Sequence, residues 1–98
     1  MEIRILSAGR DDLAEGHCFY EMQGAGVGGH FVDSLASDID SLAVYAGIHR
    51  EVFGFYRMLS RRFPWAIYYR FDAAGAVLVF RVLDCRQEPS KIGSELRA

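Results

Sequence analysis

The chain has 98 residues, of which 51% are hydrophobic and 24% charged. That is the size and composition of a single small globular domain, spanning residues 1–98, with enough apolar material for a core that needs no covalent staples. Cys18 and Cys85 lie too far apart in the chain to form a disulfide framework or a metal-ligand set. No apolar run approaches the roughly 18 residues of a membrane span, and no basic-then-apolar leader opens the chain. The expectation is a cytoplasmic protein without membrane, metal or cofactor.

The net charge of −2 conceals a division. Residues 1–45 carry a balance of −6, and residues 46–98 carry +4 through eight arginines, one lysine and five acids. This fits two readings: a positive face built by the second half for an acidic or anionic partner, or two halves that each solvate their own surface.

In chain order, EIRILS reads as a short first strand. Ser7 follows as a candidate N-cap for a helix through AGRDDLAEGHCFYEMQ, with Asp11 and Asp12 early, where the helix dipole favours acids. Gly9 and Gly16 count against that helix by about 1 kcal/mol each. GAGVGG is the strongest breaker in the chain. Beyond it Val27, Phe31, Leu35, Ile39 and Leu42 form one apolar helical stripe, so a helical hairpin is expected.

After Gly47 the pattern becomes strand-like. GFYRMLSRRF alternates, with Phe55, Arg57, Leu59 and Arg61 on one side and Tyr56, Met58, Ser60 and Arg62 on the other, and Pro64 ends it. AIYYRF places Ile67, Tyr69 and Phe71 together, opposite Ala66, Tyr68 and Arg70. DAAG is turn chemistry, and AVLVFRVLD is a nearly continuous apolar strand interrupted by Arg81. The tail after Pro89 holds at most one helical turn. These elements predict an α+β fold: a short N-terminal strand, an α-helical hairpin and a three-stranded antiparallel meander, in one small sheet with the helices on one face. The other face is expected to be partly open and lined by arginine.

No nucleotide-binding loop, metal motif or nucleophile elbow is present. GAGVGG follows a helix and lacks a Lys-Ser/Thr ending, and His17, His30 and His49 show no ligand spacing. Arginine is what remains, its planar fork suited to carboxylates, phosphates and aromatic faces. Arg81 fits either a rim position, snorkelling over apolar neighbours, or an open face beside Arg57, Arg61 or Arg70.

RDDLAEGHCFYEMQGAGVGGHF, RRFPWAIYYRF and VLVFRVLDCRQEP together resemble the RelE/ParE superfamily of bacterial toxins, most closely the ParE or plasmid-stabilisation branch. The resemblance spans nearly the whole chain. It implies the toxin of a type II toxin–antitoxin module, neutralised by a cognate antitoxin in a toxin–antitoxin hetero-oligomer. ParE-like members bind and inhibit DNA gyrase; RelE-like members are ribosome-dependent mRNA endonucleases with basic catalytic side chains and commonly a C-terminal tyrosine. Here Ala66 stands where RelE-like enzymes carry an arginine, and Ile92 where the tyrosine is expected. The single lysine and sequence pI of about 5.8 also suit RNA poorly, since RNA affinity depends on phosphate neutralisation.

The resemblance therefore favours a non-enzymatic inhibitor without sequence-specific nucleic-acid binding. Arg62, Arg81 and Arg86 are its expected target contacts, and Arg57, Arg61, Tyr68 and Arg70 its antitoxin- or target-facing residues. In the nuclease alternative, Arg81 and Arg86 would be the catalytic pair. A third reading is a degenerate, non-toxic binding module, because the usual His-x-Arg-Arg after the last strand is replaced by Asp84, Cys85, Arg86 and Gln87.

Overall fold

The computed structural model describes residues 1–97, which form five strands and four helices. β1 (Ile3–Ile5) leads into α1 (Ser7–Glu21) and α2 (Val27–Asp40), and a four-residue turn of helix, α3 (Leu42–Tyr45), follows. β2 (Arg50–Val52), β3 (Phe55–Leu59), β4 (Trp65–Phe71) and β5 (Val77–Asp84) come next, then α4 (Pro89–Arg97). The sheet order is β1-β5-β4-β3-β2, with β1 parallel to β5 and every other pair antiparallel.

The helical hairpin forms as its pattern requires. Phe31, Leu35, Ile39 and Leu42 meet Ile67, Tyr69, Val77, Val79 and Val82 in the main core. The glycines that weaken α1 and α2 locally are used for close approach. A Cβ on Gly16 would overlap the Phe31 ring, and one on Gly28 would stand 2.5 Å from the His17 carbonyl oxygen. Gly26, at φ 87°, makes the left-handed entry to α2. The Glu21 carboxylate closes that turn by accepting the N–H groups of Gly26 (3.0 Å) and Gly28 (2.9 Å). Those two bonds hold its carboxyl below the usual glutamate range. Ser7 is the first residue of α1, not its cap, and Leu6 precedes the helix without a side-chain cap.

Three expectations change. β2 is an additional strand, joined to β3 through Phe53 (φ 56°) and Gly54 (φ 80°), a two-residue hairpin turn with positive φ at both positions. The meander is thus four-stranded. β3 also ends at Leu59, short of Arg61 and Arg62, which lie in the loop before β4.

The third change concerns the second face of the sheet. The tail is a nine-residue helix, α4, which buries Ile92 and Leu96 against Phe55, Ala66, Tyr68 and Leu83. Pro89 pre-sets its first turn, and Gly93 leaves room for the Phe53 ring. So helices cover both faces, and much of the face expected to be open is closed by the chain's own C-terminus.

The segment between α3 and β2 is tied down by one phenol. The Tyr69 hydroxyl accepts the Gly47 N–H (2.8 Å) and shares a hydrogen bond with His49 Nδ1. Burial pushes the His49 pKa below 6.5. As pH falls, the unfolded chain therefore takes up this proton before the folded one, and stability drops below the ordinary histidine pKa. Melting temperatures compared between about pH 7.5 and about pH 5.5 should fall more for the wild type than for His49→Gln. Equal falls would show that this contact does not couple to folding.

Candidate docking surface

The sequence assembles its arginines around one sheet, but packing treats them differently. Arg81 sits beside a β-bulge. Tyr68 pairs with Arg81 and Tyr69 with Val79, so Phe80 is the extra residue and the alternation of β5 shifts there. The shift keeps Val77, Val79 and Val82 all in the main core and turns Phe80 toward the α4 side. It also carries the Arg81 guanidinium over the rim of β5, between α1 and α4. There Nε and Nη2 fork the Asp12 carboxylate at 2.7 and 2.8 Å. Nη2 also meets Glu95 Oε2 at 2.7 Å, and Nη1 donates to the Glu95 carbonyl at 3.0 Å. Asp12 accepts the Val82 N–H as well, at 2.9 Å.

Arg81 is thus at the rim, as one of its two readings had it, but as a mostly buried link between helices. Its hydrogen bonds to Asp12 raise its pKa further. The guanidinium expected to contact a target is engaged internally with Asp12 and Glu95.

Tyr68, expected to face a partner, is buried by the chain's own helix. It points away from the hairpin, as its alternation predicts, but α4 lies over it and leaves it 2% exposed. Burial pushes its phenol pKa up. Arg70 is exposed but committed: its guanidinium stacks 3.9 Å from the Phe55 ring centroid, and Nε donates to the Gly54 carbonyl at 2.9 Å. It braces the β2–β3 turn, away from Arg61 and Arg62.

Arg86 is half exposed and folds back on Asp84, with Nε at 2.9 Å and Nη2 at 2.7 Å from its two oxygens. These bonds raise the Arg86 pKa and hold the Asp84 carboxyl below its usual range. Nη2 also reaches the Tyr20 hydroxyl at 3.5 Å, and that hydroxyl accepts the Trp65 indole N–H at 2.9 Å. The aspartate that replaces the expected histidine therefore sequesters the neighbouring cation. No sequence pattern announced that pairing beyond the i, i+2 spacing itself.

Arg57, Arg61 and Arg62 are left. Among the described residues, no carboxylate lies within 4 Å of their guanidinium groups. Arg61 and Arg62 border a polar cleft of about 520 Å3 against α2. Arg57 and Arg61 border an adjoining apolar groove of about 530 Å3 that runs to Tyr45 and Ile48. Asp38, shared by the two, is buried and accepts the Ser60 hydroxyl (2.7 Å) and the Arg61 N–H (3.3 Å), which fixes the start of the arginine loop. At the opposite rim Asp11, Asp12, Glu15, Asp84 and Glu95 line an acid-rich cleft between α1, β5 and α4. The charge division along the chain is only partly kept in space: the acid-rich cleft also holds Arg81 and Lys91, and Asp33 and Asp38 line the cleft beside Arg61 and Arg62.

For an endonuclease, the pair Arg81 and Arg86 would have to face a phosphate. Both are instead forked to carboxylates, Ile92 is packed into the second core, and Ala66 is fully buried. Among the described residues, no group of three or more His, Cys, Asp or Glu side chains is placed to hold a metal ion. No helix is long and apolar enough to cross a membrane.

The structure is thus an α+β domain with a helical hairpin on one sheet face, a C-terminal helix on the other and a corner of three arginines that meet no carboxylate among the described residues. A solved chain titled as the chromosomal ParDE toxin–antitoxin system of P. aeruginosa shares this fold, with a TM-score of 0.75 and 20% sequence identity over 84% of this chain and 92% of that one. No protein-family model and no curated protein matches the sequence. The ParE-like α+β fold expected from the sequence is thus the fold observed.

Proposed function

We propose that this protein is the toxin of a type II toxin–antitoxin module, acting by docking onto a protein target and held inactive by a cognate antitoxin. The observation that carries this reading is the fold shared with the ParDE chain, combined with three arginines that no carboxylate among the described residues neutralises. Unpaired guanidinium groups on a rigid loop and strand are suited to steer and hold an acidic protein surface. By the sequence resemblance the target is DNA gyrase. Arg62 is the leading contact, Arg57 and Arg61 flank it, and Arg86 joins once it leaves Asp84. Arg81 positions α1 and α4 and does not touch the target.

Purified protein added to a gyrase supercoiling assay should inhibit it, and Arg62→Glu should weaken inhibition by about tenfold or more while the fold is kept. Unchanged supercoiling at large excess would remove gyrase as the target. Cleavage of translated messages after induction, mapped by primer extension, would replace inhibition with the nuclease reading.

A further inference from the structure

The turn after β5 stands at the same end of the sheet as the arginine loop. Asp84 pairs with Trp65, the first residue of β4, and the Cys85 N–H bonds the Pro64 carbonyl at 2.8 Å. Arg86 is therefore a fourth arginine beside the loop that carries Arg61 and Arg62. Asp84 withdraws it. The two carboxylate oxygens take Nε and Nη2, and Oδ1 also accepts the Arg86 N–H at 2.9 Å. The Gln87 N–H and side-chain amide both reach back to the Asp84 carbonyl, at 3.4 and 3.3 Å.

Two separate sets of bonds hold this turn. The Arg86 N–H, the Gln87 donors and the Pro64 carbonyl fix its backbone, and they keep the Asp84 carboxylate in place with or without the guanidinium on it. The side-chain pair is the second set. With the Arg86 side chain 54% exposed and that of Asp84 22%, it is a weak contact. The other side-chain partner of this guanidinium among the described residues is the Tyr20 hydroxyl at 3.5 Å, the outer limit of a hydrogen bond. A pair that is aimed by a fixed turn, yet weak enough to open, competes with any carboxylate brought from outside.

We propose that Asp84 is a built-in mask on Arg86, which sets the affinity of the docking surface by competing, within the chain, with the carboxylates of an acidic partner protein. A partner engages Arg86 only in the fraction of molecules whose guanidinium has left Asp84, and its apparent affinity falls by that fraction. For a partly exposed pair the reduction is about two- to fivefold. A partner that rests on Arg57, Arg61 and Arg62 alone is not weakened. The inference rests on the docking role proposed above for the basic side chains but not on gyrase, so failure to inhibit supercoiling removes that target and leaves the mask standing.

Asp84→Asn tests it, because an asparagine oxygen still accepts the Arg86 N–H and keeps the turn while the charge is gone. The probe is a hexaglutamate peptide titrated onto the full-length protein at low ionic strength, where charge contacts are least screened. Asp84→Asn should bind it about two- to fivefold tighter than the wild type. Glu88→Gln makes the same change in net charge at an exposed site without an ion pair, and it should gain clearly less. In an Arg86→Gln background the gain from Asp84→Asn should vanish. In the free protein, the Arg86 Nε–H should exchange with solvent faster in Asp84→Asn than in the wild type, as read by NMR. A gain that persists without Arg86, an equal gain from Glu88→Gln, unchanged Nε–H exchange, or no binding of the peptide by Asp84→Asn would each overturn the proposal.

Discussion

Asp12→Ala should cost about 3–5 kcal/mol, the range for removing one partner of a buried ion pair. Against a total stability of about 5–15 kcal/mol, that lowers the melting temperature by on the order of 20 °C. The variant leaves Arg81 mostly buried with only Glu95 to face, and it strips the Val82 N–H of its acceptor. Adding Arg81→Met should return part of the loss, because the uncompensated charge goes, while the unpaired N–H keeps recovery incomplete. Thermal or denaturant melts of the two variants make the comparison. A loss for Asp12→Ala of less than about 1 kcal/mol would mean that water replaces the carboxylate and that the link between α1 and α4 is dispensable.

Neighbouring glycines in α2 should respond with opposite signs. Gly28→Ala places a methyl 2.5 Å from the His17 carbonyl oxygen and 2.9 Å from Glu21 Cβ, so the two helices must separate. The displacement should outweigh the gain in helix propensity and destabilise by about 1–3 kcal/mol. Gly29→Ala meets nothing within 4 Å and should stabilise by up to about 1 kcal/mol. Two melting curves decide this. Equal effects at both positions would show that the hairpin is not closely packed at Gly28. The substitution also separates the two roles of the GAGVGG segment, since Gly26 serves the turn and Gly28 the helix contact.

These two positions show where reading the chain succeeds. The stripe Val27, Phe31, Leu35, Ile39 and Leu42 is periodic enough to specify which side of α2 is buried, and all five residues face the main core. GAGVGG marks the hairpin turn because only glycine enters α2 at φ 87° without strain. In β4 the alternation assigns Ile67 and Tyr69 to the hairpin side and Tyr68 to the other, and both assignments agree with the packing. Phe71 lies on the expected side but at its margin, about a third exposed, with its ring against Tyr56 and Tyr69.

The misreadings have physical causes. β2 is three residues long and enters its turn through Phe53 at positive φ, a conformation that a bulky side chain rarely signals. The tail reads as at most one helical turn because Gly93 lowers helix propensity, yet that glycine is where α4 passes over Phe53. Once α4 extends to Arg97, Tyr68 is buried under it, although its side of the strand was assigned correctly.

The chain by itself thus determined β1, the helical hairpin, the three longer strands β3 to β5 and a basic second half, because these depend on periodicity and composition within short windows. Only the tertiary structure decided which arginines are available. A bulge of one residue at Phe80 sends Arg81 to Asp12, whose carboxylate is 69 residues away in sequence. A two-residue spacing folds Arg86 onto Asp84, and a turn geometry places Arg70 over Phe55. Charge is carried by the sequence, but its neutralisation depends on distances of a few ångströms between residues that the sequence keeps far apart. Arg57, Arg61 and Arg62 are the basic corner because packing places no carboxylate of the described residues within 4 Å of their guanidinium groups.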